Sequence, residues 1–239
     1  MDTTQLDGIT AIRTSAALVC FADARACRLG ASERELADSA RLAIGSALGR
    51  EVPALYALQV HGALTYLYAG DGGRLEGSRC VGSCDGLISA EADVALVVRN
   101  ADCLPVAVVG GGAVAMLHAG WRGLAADILG RTLRRLDNEL GVAPRALHVW
   151  IGPGIGRCHY PVGDEVVAAL SRLVEPSPAW LGDGRVDLAG FAASRLRGLG
   201  VVAVDVLGPC TACSPHHYSY RRDGTEAGRL WSAVIRPGR

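Results

Sequence analysis

Asp102-Cys103-Leu104-Pro105-Val106-Ala107-Val108-Val109-Gly110-Gly111-Gly112-Ala113-Val114-Ala115-Met116-Leu117-His118 is the stretch on which the reading of this chain turns. Two apolar runs flank a glycine turn, a pattern that predicts a β-hairpin. With Gly110-Gly111 as a two-residue turn, Val109 pairs with Gly112 and, counting outward, Cys103 falls opposite His118. Directly opposed residues have Cα atoms roughly 4.5–5.5 Å apart, so a thiolate and an imidazole there could share one metal ion. A three-glycine turn offsets the pair by one residue, and a bulge restores it. Either register keeps the two side chains near each other.

Working outward, Ala92–Val98 reads as an apolar strand entering the hairpin. Beyond it, Ala119-Gly120-Trp121-Arg122-Gly123 opens a long amphipathic helix predicted to reach about Leu140, with Gly141 as C-cap. Ala31–Leu48 is a second predicted helix, in which Ser32 and Glu35 form a capping box. Ala54–Val60 reads as a strand running into His61-Gly62, and Ala63–Tyr68 as its continuation or hairpin partner. Gly70–Gly86 reads as glycine-rich loop. Downstream, Ala146–Ile151 is a predicted strand, Asp164–Leu173 and Leu188–Leu199 helices, Val201–Leu207 a strand and Gly228–Ile235 a last short element. The expectation is one α+β domain over residues 1–239, a mixed, largely antiparallel β-sheet core flanked by helices.

Composition narrows the function. The 239 residues are half apolar and carry 24 basic and 24 acidic side chains, so the formal net charge is zero. Every basic residue is arginine; without lysine there is no Walker-type phosphate loop, Schiff base or lysine general base. No basic block marks a nucleic-acid surface, and no apolar run approaches the roughly 20 residues of a membrane span. The start Met1-Asp2-Thr3-Thr4-Gln5 lacks the pattern of a signal peptide, so a cytoplasmic protein with reduced thiols is expected.

The chemistry concentrates in a few residues. His61, Cys103 and His118 form a common three-ligand set for catalytic zinc, with a fourth position left for water or substrate. The alternative is a buried thiol beside an ordinary histidine, or Cys103 as nucleophile with His118 as its base. Asp102 is a candidate to orient a ligand or act as a base. Arg122, at the predicted helix start with Gly123, is a candidate phosphate donor, and Gly152-Pro153-Gly154-Ile155-Gly156 is a candidate anion nest. Tyr218-Ser219-Tyr220-Arg221-Arg222-Asp223 places aromatic and guanidinium groups together, suited to a base and a phosphate. Cys210/Cys213 and Cys80/Cys84 have metal-like spacing but read more simply as loop thiols, even with His216-His217 close by. His148 reads as a core histidine.

Taken in order, Gln59-Val60-His61-Gly62, Cys84-Asp85-Gly86-Leu87-Ile88-Ser89, Ala101-Asp102-Cys103-Leu104-Pro105 and His118-Ala119-Gly120-Trp121-Arg122-Gly123 resemble the signature blocks of the YfiH family, also called the laccase-domain or multicopper polyphenol oxidoreductase family. Ile151–Gly156, Tyr160–Val166, Cys210-Thr211, Ser219–Gly224 and Gly228-Arg229 extend the likeness over about residues 55–235. It implies a zinc site of His61, Cys103 and His118, with copper the other candidate metal. It implies purine nucleosides (adenosine, inosine, guanosine, methylthioadenosine) and phosphate as substrates, with adenosine deamination besides phosphorolysis, in a monomer or homodimer. Cys103, Asp102 and Arg122 are then the catalytic candidates, and Arg122, Gly123, Ser219, Arg221 and Arg25 the substrate- and phosphate-binding ones. The family also holds members linked to peptidoglycan precursor editing, and older descriptions as copper oxidases. Six histidines are too few for the several copper centres of a laccase. Residues 1–54 depart from the family pattern: Phe21-Ala22-Asp23-Ala24-Arg25 and Ala40-Arg41 replace expected blocks, and Arg25 aligns only loosely.

Overall fold

A computed structural model describes residues 1–70 and 75–238, so the 71–74 part of the expected glycine-rich loop lies outside it. The core is two stacked sheets rather than one. In spatial order the first holds β1 (Asp2–Leu6), β2 (Ile9–Arg13), β3 (Leu18–Ala22), β15 (Leu230–Ile235), β8 (Ala95–Asn100), β4 (Ala54–Leu58) and β6 (Ser78–Ser83). The second holds β14 (Ala203–Val206), β11 (His148–Ile151), β9 (Leu104–Gly110), β10 (Ala113–Ala119), β7 (Gly86–Ser89) and β5 (Thr65–Tyr68). A short ribbon pairs β12 (Leu181–Gly182) with β13 (Arg185–Val186).

The apolar runs explain this layering, because alternate side chains on a strand face opposite sides. On β8, Leu96 and Val98 point into the space between the sheets, where they meet Ala107, Val109, Val114, Met116 and Trp150 of the second sheet. Ala95 and Val97 face the other way, onto α1 (Glu33–Leu48). On β9 and β10, Val106, Val108, Ala115 and Leu117 face α2 (Trp121–Ala125), α3 (Ile128–Leu140), α4 (Asp164–Ser171) and α5 (Leu188–Gly198). The central strands are thus covered on both faces and read as nearly unbroken apolar sequence. The order of layers is helix, sheet, sheet, helices.

α1 carries the expected capping box, with the Ser32 side chain on the Glu35 N–H and the Glu35 carboxylate on the Ser32 N–H. The long helix expected after Gly120 is instead two helices, separated at Asp127, whose φ of 61° is left-handed. Its carboxylate caps α3 at the Gly130 N–H and pairs with Arg195 at 2.9 Å, so tertiary contacts hold the break. Ala63–Tyr68 neither continues nor pairs with β4: β5 lies in the second sheet, parallel to β7.

The hairpin forms with its turn one residue later than expected. Gly111 and Gly112 both take positive φ, 57° and 79°, the conformation of a tight two-residue turn, and Gly110 pairs with Ala113. His118 therefore sits opposite Pro105, not Cys103. A shift of two positions preserves which face each residue occupies, and Cys103 lies just beyond the paired ladder.

Candidate active site

Three consecutive strands of the first sheet, β4, β6 and β8, run parallel, and the chain crosses from each into the second sheet as β5, β7 and β9. The three crossings carry His61, Asp85 and Cys103, and β10 brings His118 to the same edge. His61 has a left-handed φ of 59° and Asp102 one of 84°, so two of the three crossings turn through conformations that residues other than glycine seldom adopt. Non-glycine residues held there tend to mark functional sites.

At this junction one ligand atom from each of His61, Cys103 and His118 lies within 4.8 Å of the others. The two imidazoles meet edge to face, with ring centroids 4.9 Å apart. Burial would raise the Cys103 thiol, but contacts with His118 and His61 outweigh it and bring its pKa down to about 6. Burial would likewise lower His118, yet Asp85 and Cys103 push it up to about 9. Gly120 makes room, since a Cβ there would stand 2.8 Å from the Cys103 Sγ.

Asp85 organises the group, and the sequence reading assigned it no role. It is fully buried and accepts N–H bonds from Val60, His61 and Gly62 at 3.3, 2.9 and 2.7 Å. Its Oδ1 also lies 2.9 Å from Nδ1 of His118, which leaves Nε2 to face the site. Burial opposes its ionisation, but His118 and the N–H groups of Gly62 and His61 prevail and hold it below the usual carboxylate range. Its signals in the sequence were an acidic residue set among small ones at the start of an apolar strand and a place in the Cys84–Ser89 block of the family resemblance.

A cavity of about 690 Å³ opens over these residues. Its walls include Arg99, Arg122, Arg221 and Arg229, with Trp121, Tyr160 and Tyr220. Arg122 lies over the Trp121 ring at 4.5 Å and Arg221 over Tyr160 at 5.2 Å. Burial and the nearby Cys103 charge push Tyr160 up to about 12, so its hydroxyl stays a neutral donor. Gln59 donates to the Arg99 carbonyl and accepts from the Arg99 N–H, both at 2.8 Å, and so extends the β4–β8 pairing to the cavity rim.

Of the candidates read from sequence, His61, Cys103, His118, Asp102, Arg122 and Arg221 line this cavity. Asp102 has both oxygens engaged: Oδ1 by the Thr211 hydroxyl and Oδ2 by the Arg221 N–H, each at 2.6 Å. Both oxygens thus bridge the β8–β9 crossing to Thr211 and to the start of α6 (Tyr220–Asp223). Gly123, Ser219 and Arg25 are not among the lining residues. Gly123 is packed where a Cβ would lie 2.8 Å from the Gly62 carbonyl, and buried Ser219 caps α6 at the Arg222 N–H. Exposed Arg25 is paired with Asp23 at 2.6 Å. α2 has only five residues, so little helix dipole aims at Arg122. Tyr160 and Arg229 went unassigned in the sequence because they come from segments distant from Cys103, and Arg99 because nothing local marks that its strand end faces the cavity. Cys210 and Cys213 converge with Cys158 and His159, not with His216-His217. His148 is half-buried, stacked on Trp150 and paired with Asp205 at 2.6 Å.

Residues 30–237 match the family model described as multi-copper polyphenol oxidoreductase laccase. A purine nucleoside phosphorylase of Deinococcus radiodurans is 35% identical over 159 residues, 65% of this chain and 62% of that protein. Purine nucleoside phosphorylase YlmD of Geobacillus stearothermophilus is 35% identical over 74% of this chain and 70% of its own length. The crystal structure of YlmD from Geobacillus stearothermophilus superposes with a TM-score of 0.82 and 26% identity, covering 98% of both chains. This chain thus spans a little under two thirds of the Deinococcus relative. No helix among the described residues is long and apolar enough to cross a membrane.

Proposed function

This chain belongs to the multi-copper polyphenol oxidoreductase laccase family, and we propose that within it the chain is a purine nucleoside phosphorylase rather than an oxidase. The observation that carries this reading is the cavity itself: a His-Cys-His ligand set, four arginines and three aromatic rings line one space of nucleoside size. The relatives bearing that enzyme's name point the same way. The ligand set has room for one ion, and the remaining histidines lie elsewhere, so among the described residues the several copper centres of a laccase lack histidine donors.

His61, Cys103 and His118 fit zinc, with mixed nitrogen and sulfur donors, a thiol already poised as thiolate, and Asp85 behind His118 to orient it. Bound there, zinc supplies a Lewis acid at the cavity wall. The other groups act on the substrates directly. Arg122 and Arg221, which both line the cavity, hold phosphate by charge-assisted hydrogen bonds and aim one oxygen at C1′ of the ribose. The C1′–N9 bond breaks as the phosphate oxygen bonds to C1′, and the base leaves with the electron pair. Trp121, Tyr160 and Tyr220 offer faces for the purine, and the Tyr160 hydroxyl offers it a proton-bearing donor. Adenosine, inosine, guanosine and methylthioadenosine are the proposed nucleosides, and deamination of adenosine the second activity of the site.

Zinc-loaded protein mixed with inosine and phosphate should release hypoxanthine and ribose 1-phosphate, and with adenosine it should also release ammonia. Failure to form any free base with all four nucleosides would overturn the reading.

A second reading rests on the Cys103–His118–Asp85 arrangement, a thiolate, imidazole and carboxylate in series such as a cysteine hydrolase uses, here on a peptidoglycan precursor. Chelation separates the two: a cysteine hydrolase keeps its activity without metal, and a phosphorylase dependent on zinc loses it.

A further inference from the structure

A second group of metal-binding side chains lies outside the residues that line the cavity. β11 and β14 are parallel neighbours, so the segments that follow them leave the sheet at the same end. The first carries Cys158 and His159 in a single 3-10 turn, Arg157–His159. The second carries Cys210 and Cys213. One donor atom from each of these four residues falls within 4.8 Å of the other three.

The separations match the edges of a coordination tetrahedron. Cys158 Sγ lies 3.4 Å from Cys213 Sγ, and His159 Nδ1 lies 3.4, 3.3 and 3.9 Å from the sulfurs of Cys158, Cys213 and Cys210. Zinc–sulfur and zinc–nitrogen bonds of about 2.3 and 2.0 Å imply edges of roughly 3.5–3.8 Å. The backbone is also arranged for the task. The N–H groups of Cys213 and Ser214 turn back onto the Cys210 carbonyl at 3.1 Å, and the Gly156 N–H donates to the Cys210 sulfur at 3.2 Å.

We propose that Cys158, His159, Cys210 and Cys213 form a second, structural zinc site. Three thiolates and an imidazole select a soft divalent ion over magnesium or calcium. Four protein donors close the coordination shell, which distinguishes a structural site from a catalytic one. On binding, the ion displaces the thiol protons into solvent. Its consequence is mechanical. Tyr160 follows His159 directly, and Thr211, which holds Asp102, follows Cys210. Zinc therefore clips together the two segments that carry Tyr160 and Arg221 to the cavity wall.

Reduced full-length protein, reconstituted with zinc and freed of excess metal, should hold two zincs per chain. Cys210→Ser/Cys213→Ser should keep one, and Cys103→Ala should keep the other. In the cobalt-loaded protein the double variant should lose roughly three-quarters of the thiolate-to-cobalt absorption, three of four sulfurs having been disconnected. Should that variant fail to fold, wild type suffices: zinc should protect Cys158, Cys210 and Cys213 from iodoacetamide, as mapped by mass spectrometry. Alkylation of all three at saturating zinc overturns the proposal. So does a wild-type chain that binds a single zinc removed by Cys103→Ala, or a Cys158–Cys213 disulfide persisting in reduced, zinc-treated protein.

Discussion

Gly120 backs directly onto Cys103: a Cβ at Gly120 would stand 2.8 Å from the Cys103 Sγ and 3.5 Å from Cδ2 of His61. The φ of Gly120 is −76°, open to any residue, so the requirement is for space and not for backbone freedom. Two of the three proposed metal ligands thus rest against a missing side chain.

Gly120→Ala should weaken zinc binding about 10- to 100-fold, since overpacking costs about 1–3 kcal/mol, with little change in the far-ultraviolet circular dichroism. Competition against a chromogenic chelator measures this. Unaltered affinity would show that Cys103 and His61 can move aside without cost.

Asp85→Asn should lower metal affinity by roughly 10- to 100-fold, the usual effect of removing a partner that orients a ligand histidine. It should also destabilise the chain, because three N–H groups of the Val60–Gly62 turn share this carboxylate. An amide NH2 facing those donors leaves a buried group unsatisfied, at about 1–3 kcal/mol. Urea denaturation of the metal-free protein reads the second effect separately from the first.

The thiol of Cys103 is lowered from 9.0 to about 6, so in metal-free protein its alkylation rate should rise through pH 6 and level off above it. A lowered folded-state pKa contributes stability that is lost as pH falls through about 6. The raised pKa of His118 contributes stability that is lost as pH rises through about 9. The attraction of the pair is therefore confined to the interval between those values. An alkylation midpoint near 9 would contradict the ion pair.

Arg122→Ala should raise the KM for phosphate by roughly 10- to 100-fold, the worth of a charge-assisted hydrogen bond at about 1.5–3 kcal/mol. The KM for nucleoside should change less. Steady-state kinetics with each substrate varied in turn make the comparison, and an effect confined to nucleoside would move Arg122 away from phosphate.

Asp102→Asn should lower kcat and thermal stability modestly while leaving the shape of the pH–rate profile unchanged. Its two oxygens hold Thr211 and the Arg221 N–H, which favours a positioning role over that of a base. Loss of an acid limb from the profile in this variant would restore Asp102 as a base.

Local pattern carried much of this molecule into view. The capping box at Ser32 and Glu35, the hairpin around its glycines and the apolar strand before it are written in neighbouring residues, and each forms. His61, Cys103 and His118 were legible as a candidate set because their residue types suit one metal. Where long-range contacts compete, the local signal failed. The helix after Gly120 breaks at Asp127 because Arg195, from α5, holds the capping carboxylate. The hairpin turns at Gly111-Gly112, where a run of three glycines permits either register and pairing of β9 and β10 with their neighbours selects one.

The sequence by itself determined the α+β class, the main helices, the central strands and the donor types at His61, Cys103 and His118, because periodicity, turn chemistry and donor identity are properties of the local chain; it left β1, β2 and β3 unread and took the β6 stretch for loop. The tertiary structure alone decided that the strands divide into two sheets, and that three successive crossings between them put His61, Asp85 and Cys103 at one edge. It also decided that Cys158 and His159 meet Cys210 and Cys213. Those meetings depend on which strands are neighbours, and burial of both faces of the central strands sets that order.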